Sequence, residues 1–462
     1  MPAKSGTAGR APVLGVWVWL GWHFLARWRP YPRGCQIPLL PFAAVNDDDA
    51  VLTADAPSPD STPDGSGPAV DDEIRAFVRR QVALAVLPAA AIVAETVEYL
   101  DGEAEPARIE ELAWAAVAEE LTAHLAEQES WPEVTDSDRL TAAFRALSAA
   151  GIVARENFTC CQNCGLGEIG AEVPEGVVPR GYAFYHQQDA ERAVDGSPVF
   201  LAYGLFERPP SVEIGEEVAA VLRAEGLTVH WAGDVGARIQ VPMVWRRRRV
   251  GRLAAVPPSR DDDVEVEVEL LTSWSGPYAP HKGVQSAARL AALHLPWMPA
   301  DARVRLSTDA VAVTVRREGG TLIGGLDDPD RPPATVDRYD GLALLGGPET
   351  TTSRSADFLE ATYEHPTGRG SSVALEAMET MAIAHKLQPH TRDFLSCVGR
   401  SGAVVQMCWE SDRLWLETPH PETATVTGRH VSLAEANRMI TILATEDRAA
   451  VGELGDTVTK PW

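Results

Sequence analysis

The chain reads as an α+β protein: N-terminal helices packed on a mixed sheet, followed by a second α+β domain with antiparallel hairpins. Three observations carry this reading. Apolar residues recur at spacings of three and four from residue 71 to about 150, which is one face of a helix. Beyond 150 the period drops towards two, most plainly in DVEVEVELL, where Val264, Val266, Val268 and Leu270 alternate with Glu265, Glu267 and Glu269. The later strand-like runs follow one another across short turns, such as Glu318, Gly319, Gly320 and Glu410, Ser411, Asp412, so they are expected to pair antiparallel. Boundaries are expected at 1–70 (a disordered extension and linker), 71–258 (helices plus a mixed sheet with a cysteine knuckle) and 259–462, the last divisible into 259–345 and 350–462.

Residues 47 to 70 mix Asp, Pro, Ser and Gly without periodicity, the composition of a linker. DDEIRAFVRRQVALAVLPAAAIVAETVEYL then predicts a helix that Pro88 must kink or split, because proline has no N–H to donate into the ladder. ARIEELAWAAVAEELTAHLAEQ and TDSDRLTAAFRALSAAG predict two more, the latter capped by Asp136 or Ser137 and stopped by Gly151. IVARENFTC, GYAFYHQQ and PVFLAYGLFE read as strands, with a short helix DAERAV between the last two. PPSVEIGEEVAAVLRAEG is a helix begun by Pro210 and Ser211 and ended by Gly226, and LTVHW and ARIQVPMVW close the unit as strands. After AVPPSRDDD come the alternating strand, a helix over HKGVQSAARLAALHL, and two or three strands in ARVRLSTDAVAVTVRREGGTLIGG. SVALEAMETMAIAHKL predicts a helix, VVQMCWESDRLWLETP a hairpin, and VSLAEANRMITILATED a helix opened by a capping box of Ser432 and Glu435.

A formal charge of −25 and a pI near 4.8 argue against a general nucleic-acid binder, since phosphate contacts need a basic footprint. Membrane association is not expected outside the first 46 residues. There, sixteen apolar-rich residues holding Trp17, Trp19 and Trp22 fall short of the about twenty a spanning helix needs. Six cysteines without disulfide-framework spacing fit a reducing compartment, so a cytoplasmic location is expected.

Chemistry concentrates in two segments. ENFTCCQNCGLGEIG carries Cys160, Cys161 and Cys164; the C-x-x-C-G spacing lets a tight turn present two thiolates to one tetrahedral ion. A structural zinc site needs four ligands, and the candidates to complete it are Cys160 and His186 of GYAFYHQQD. Cys160 is the weaker candidate because it ends a predicted strand, where successive side chains alternate faces. The competing readings are buried thiols of the core, and redox or nucleophilic use. A thioredoxin-like arrangement is disfavoured because Gly165, Gly167 and Gly170 interrupt the helix the cysteines would head. For the second segment, Asp189 either orients His186 or simply caps the helix DAERAV. WRRRRVGR, with Arg246, Arg247, Arg248, Arg249 and Arg252, reads as an exposed edge-strand end whose charge faces Asp261 to Asp263. No P-loop, nucleophile elbow or H-E-x-x-H is present.

FTCCQNCG, GYAFYHQQD, PVFLAYG and the block from IGEEVAAVLRAEGLTVHWAG to RIQVPMVWRRR together resemble an uncharacterised bacterial domain family of unknown function, over residues about 71–258. That resemblance implies no catalytic residue. The expectation is a non-enzymatic module that binds protein or regulates, with a structural cysteine knuckle and zinc as the cofactor if one is held. The alternative is a zinc- or thiol-dependent enzyme or redox sensor using Cys161, Cys164 and His186.

Overall fold

The computed structural model describes residues 68–461 except 174–176, 207, 210, 259–262, 275–278, 319–320, 327–333, 336–357 and 366–367. The expected extension and the loop-rich stretch after Thr335 thus fall largely outside the described residues. The fold class is α+β, and four helices come first: α1 (Pro68–Leu84), α2 (Ala89–Tyr99), α3 (Pro106–Gln128) and α4 (Asp136–Ala149). The single helix expected over 71–100 is split where Pro88 stands, and Pro88 becomes the N-cap of α2. The cap of α4 lies one residue earlier than expected. Thr135 Oγ1 accepts from the Asp138 N–H (3.2 Å), and Asp138 Oδ2 accepts from the Thr135 N–H (2.8 Å), a reciprocal box that Asp136 or Ser137 would not close.

The mixed sheet follows, in chain order β1 (Ile152–Arg155), α5 (Gln162–Glu168), β2 (Gly181–Phe184), α6 (Gln187–Val194), β3 (Val199–Gly204), α7 (Val212–Ala224) and β4 (Ile239–Val241). Spatial order is β1-β2-β3-β4; β1 and β2 are parallel and the other pairs antiparallel. One face is buried under Phe144 and Leu147 of α4, Ala190 of α6, and Val218 and Leu222 of α7. On the other face Val153, Phe184 and Ala202 pack with Ile169, which follows α5. LTVHW makes only a bridge, His230 to Gln240, rather than a strand.

A second sheet is built from β5 (Glu265–Leu270), β6 (Gly283–Ser286), β7 (Arg303–Ser307), β8 (Ala312–Glu318), β9 (Thr321–Leu326) and β10 (Ala334–Thr335), with α8 (Ala287–Leu293) between β6 and β7. All its pairs are antiparallel, in the order β10-β9-β8-β7-β5-β6 among the described residues. Val266 and Val268 are buried while Glu265, Glu267 and Glu269 are exposed, as the alternation requires. The helix expected from residue 281 begins only at Ala287, because Gly283–Ser286 pair with β5 as an edge.

The third sheet holds β11 (Phe358–His365), β12 (Gly368–Glu376), β13 (Phe394–Val398), β14 (Val404–Glu410), β15 (Arg413–His420), β16 (Thr425–Val431) and β17 (Val458–Pro461), with α9 (Ala377–Ala384) and α10 (Leu433–Glu446). Here SVALE, expected to open a helix, is strand: Leu359 faces Leu375 and Ala361 faces Val373 across the β11–β12 pair. Burial of Val373, Ala374 and Leu375 against that partner outweighs local helix propensity. The expected β14–β15 hairpin and the Ser432–Glu435 capping box are both present. Ile92, Val117 and Leu121 of the N-terminal helices belong to one continuous apolar core with Leu359, Leu375 and Leu416 of this sheet.

The arginine run is not an exposed edge-strand end. Residues 242–250 form no strand and run between the helices: Thr135 Oγ1 donates to Arg246 O (2.9 Å), His124 Nε2 meets Arg247 O (3.0 Å), and Gln128 Nε2 donates to Arg249 O (3.1 Å). Arg249 is 1% exposed and donates to Val82 O (2.8 Å), Leu87 O (2.9 Å), Gln81 O (3.3 Å) and Leu253 O (2.5 Å). Helix ends leave carbonyls without intrahelical donors, and the planar fork of arginine serves several at once. Of the acidic segment, Asp261 and Asp262 lie outside the described residues, and Asp263 instead accepts from Ser286 Oγ and from the Ala288 N–H at the start of α8.

Arg252 is also buried, with its Nε 2.7 Å from Glu379 Oε1 and its Nη2 donating to the Tyr363 hydroxyl (2.6 Å). The Tyr363 ring stacks on His365 (5.5 Å between centroids). Burial, reinforced by the charges of Lys386 and Arg252, pushes the His365 imidazole down to about 3. Its folded value lies below the unfolded value of about 6.5, so neutral His365 contributes stability above pH ~6.5 that is lost as pH falls towards ~3. Urea denaturation in that window should give His365→Phe a shallower loss than the natural chain, by up to about 1.4 kcal/mol per pH unit. Parallel curves for the two proteins would contradict it.

Candidate metal centre

The cysteine loop begins where β1 stops. Asn157 (φ +48°) and Thr159 (φ +59°) both adopt the left-handed backbone, so the strand expected over IVARENFTC ends at Arg155. The Phe158 N–H donates to Tyr185 O (2.8 Å), and the Gln187 N–H donates to Thr159 O (3.0 Å). These two bonds tie the loop to the chain leaving β2, one on each side of His186. Thr159 Oγ1 donates to Phe158 O (2.6 Å), a local bond that holds the turn. Because two left-handed residues interrupt the extended backbone, the alternation rule does not apply at Cys160. Its Sγ lies 3.5 Å from Cys164 Sγ.

Contrary to expectation the cysteines do head a helix. Cys161 is the extended N-cap (φ −150°) of α5, and its carbonyl accepts the Gly165 N–H (3.0 Å). Gly165 does not break the helix; it lets the helix lie against a ring, since a Cβ there would stand 2.3 Å from Phe184 Cε2. Phe158 meets the same ring edge-on at 5.8 Å.

The three sulfurs of Cys160, Cys161 and Cys164 all lie within 4.8 Å of one another, and each residue is partly exposed. The Cys164 N–H, directed at Cys161, holds that thiol below its ordinary range. Hydrogen bonding with Cys160 and then with Cys161 pushes Cys164 up to about 12. Cys161 therefore gives up its proton before Cys164, whose ionisation is opposed by negative charge on its neighbours. A cation among the sulfurs removes that opposition, and soft thiolates select soft or borderline ions such as zinc.

His186 is the N-cap of α6 and is buried. Its Nε2 lies 3.0 Å from Asp189 Oδ2. Asp189 is wholly buried, and it also takes Arg192 Nη2 (2.8 Å) and Arg238 Nη2. Burial pushes its carboxyl up, but the bonds from His186, Arg238 and Arg192 prevail and hold it below the usual range. With a proton on Nε2 facing that carboxylate, the other ring nitrogen, Nδ1, carries the lone pair; it is buried and has no hydrogen-bond partner. Asp189 thus orients His186; it is not the N-cap of a helix starting at DAERAV, because α6 begins at Gln187 and Asp189 stands at its third position, where its carboxylate accepts from the His186 N–H (3.3 Å). Of the four candidates, the cysteines come together, while the ring nitrogens of His186 lie outside their 4.8 Å cluster although its backbone neighbours hold the cysteine loop. Behind that loop, Glu156 Oε1 accepts from Arg247 Nη2 (2.5 Å), and the Tyr185 hydroxyl accepts from the same group (3.0 Å). Sequence reasoning missed this support because Arg247 sits in a run that resembles solvated charge.

Residues 68–249 match the family model of a domain of unknown function (DUF6891), in agreement with the expected membership of this stretch in an uncharacterised domain family. Residues 3–27 match a family of unknown function (DUF6186). No curated protein and no solved structure matches the chain. Among the described residues no helix is long and apolar enough to cross a membrane.

Proposed function

We propose that the chain is a non-enzymatic, protein-binding module whose cysteine knuckle holds one zinc ion through Cys160, Cys161, Cys164 and Nδ1 of His186. The observation that carries the reading is the convergence of three sulfurs within 4.8 Å at the head of a helix. The buried, unpartnered Nδ1 supports His186 as the fourth donor, reached when the loop and the ring draw together around the ion. Asp189 then stands where carboxylates commonly stand behind a metal-bound imidazole, fixing the tautomer. Four protein donors close a tetrahedral site and leave no position for water, which makes the zinc structural rather than catalytic. The exposed apolar side chain of Leu166, on α5 two residues after Cys164 (44% exposed), suits a protein partner better than a polyanion. Protein purified without added metal is expected to carry about one zinc per chain by elemental analysis, lost in Cys164→Ser and held much more weakly in His186→Ala. Metal-free protein that cannot be loaded would sink this reading.

A second reading rests on Cys161 and the 3.5 Å Cys160–Cys164 approach. Two-electron oxidation by hydrogen peroxide would join two of these thiols as a disulfide and release two waters. Rapid alkylation of one thiol in metal-free protein would favour it over the zinc site.

A further inference from the structure

We propose that the cleft lined by Arg192, Phe200, Ala237, Arg238 and Gln240 binds a small oxyanion, a carboxylate or phosphate group, between its two guanidinium groups. The cleft has a volume of about 490 Å³, and no acidic residue lines it, although the chain carries −25 overall. Behind it stands one wholly buried carboxylate, Asp189, shared by both arginines and by His186. One negative charge opposite two guanidinium groups leaves the cleft with excess positive charge and with N–H donors still to be used.

Each arginine keeps capacity for a ligand. Arg192 reaches Asp189 through Nη2 alone and remains 53% exposed at the side chain. Arg238 directs one nitrogen, Nη2, at both Asp189 and Phe200 O and keeps 22% of its side chain exposed. The Arg238 guanidinium lies over the Phe200 ring at 5.4 Å, which fixes the plane of its fork. A planar fork held in one orientation is what two-point recognition of a carboxylate or phosphate uses. Gln240, also exposed, supplies a neutral amide at the rim. Asp189 pre-positions the two cations in the absence of ligand and reduces their mutual repulsion, so an arriving anion meets groups already ordered.

The test is calorimetric titration of the full chain with inorganic phosphate and, separately, with succinate, at constant ionic strength. Saturable one-to-one binding of either probe is expected, weakened at least tenfold by Arg192→Gln and by Arg238→Gln. Phosphate binding alone would identify a phosphoryl ligand; succinate binding alone, a carboxylate. Arg192 is half exposed, so its variant keeps the fold and decides the matter should Arg238→Gln disturb Asp189. Absence of binding by both probes, or binding undiminished in Arg192→Gln, overturns the proposal. The result is independent of whether the cysteines hold zinc.

Discussion

Replacing Arg249 by alanine is expected to cost on the order of 4 kcal/mol or more and to leave little soluble protein. Four main-chain carbonyls, of Gln81, Val82, Leu87 and Leu253, receive donors from this one side chain. Each buried carbonyl left without a donor costs roughly 1–3 kcal/mol, and the lost side chain leaves a void besides. Arg249→Met fills the volume and removes the buried charge but restores no donor, so most of the loss should remain. Arg249→Lys supplies a charge without the fork and should recover only part of it. Domains are stable by about 5–15 kcal/mol, so the alanine variant consumes a large fraction of the margin. Denaturant midpoints for the three variants measure it. A loss under about 1 kcal/mol for Arg249→Ala would mean that water serves those carbonyls instead.

The same residue marks the limit of what the sequence discloses. The break at Pro88, the alternation of Val266 and Val268 with glutamates, and the Ser432–Glu435 box are local rules, and each survives folding unchanged. The arginine run fails as a local reading because its partners come from far along the chain: Gln128 lies 121 positions away and Val82 lies 167. SVALE fails likewise. Its residues suit a helix alone, and only the partner strand β11 makes extension favourable.

At the knuckle the division is similar. Cys161 and Cys164 were legible from spacing, whereas His186, singled out for its polar neighbourhood, lies outside the sulfur cluster. Cys160 was a candidate that strand alternation counted against, and the backbone that overrides this was not legible: two non-glycine residues in left-handed conformation, Asn157 and Thr159, bring its sulfur to the others. Such conformations cost energy locally and persist only where surrounding bonds impose them; here those bonds are the pair to Tyr185 and Gln187.

Gly165→Ala separates the effect of local propensity from that of packing at this site. Within a helix, alanine gains about 1 kcal/mol over glycine, so an unencumbered α5 would be stabilised. The added Cβ, however, would stand 2.3 Å from Phe184 Cε2 and 2.6 Å from Cζ, and Phe184 is itself fully buried in the sheet beneath. Either the ring or the helix must shift, and overpacking of this kind costs about 1–3 kcal/mol. The helix is the weaker of the two: α5 has seven residues and stands on one face of the sheet, whereas Phe184 is paired into β2 with β1 and β3 on either side. Displacing α5 moves Cys161 and Cys164 relative to Cys160, which is anchored separately through Phe158 and Thr159. Gly165→Ala should therefore lower the thermal midpoint and loosen zinc together, read by chelator competition. Phe184→Leu placed behind it should restore both in part, with a coupling energy on the order of 1 kcal/mol. If Gly165→Ala instead raised stability and left metal retention unchanged, the contact between helix and ring would not be what sets the cysteine geometry.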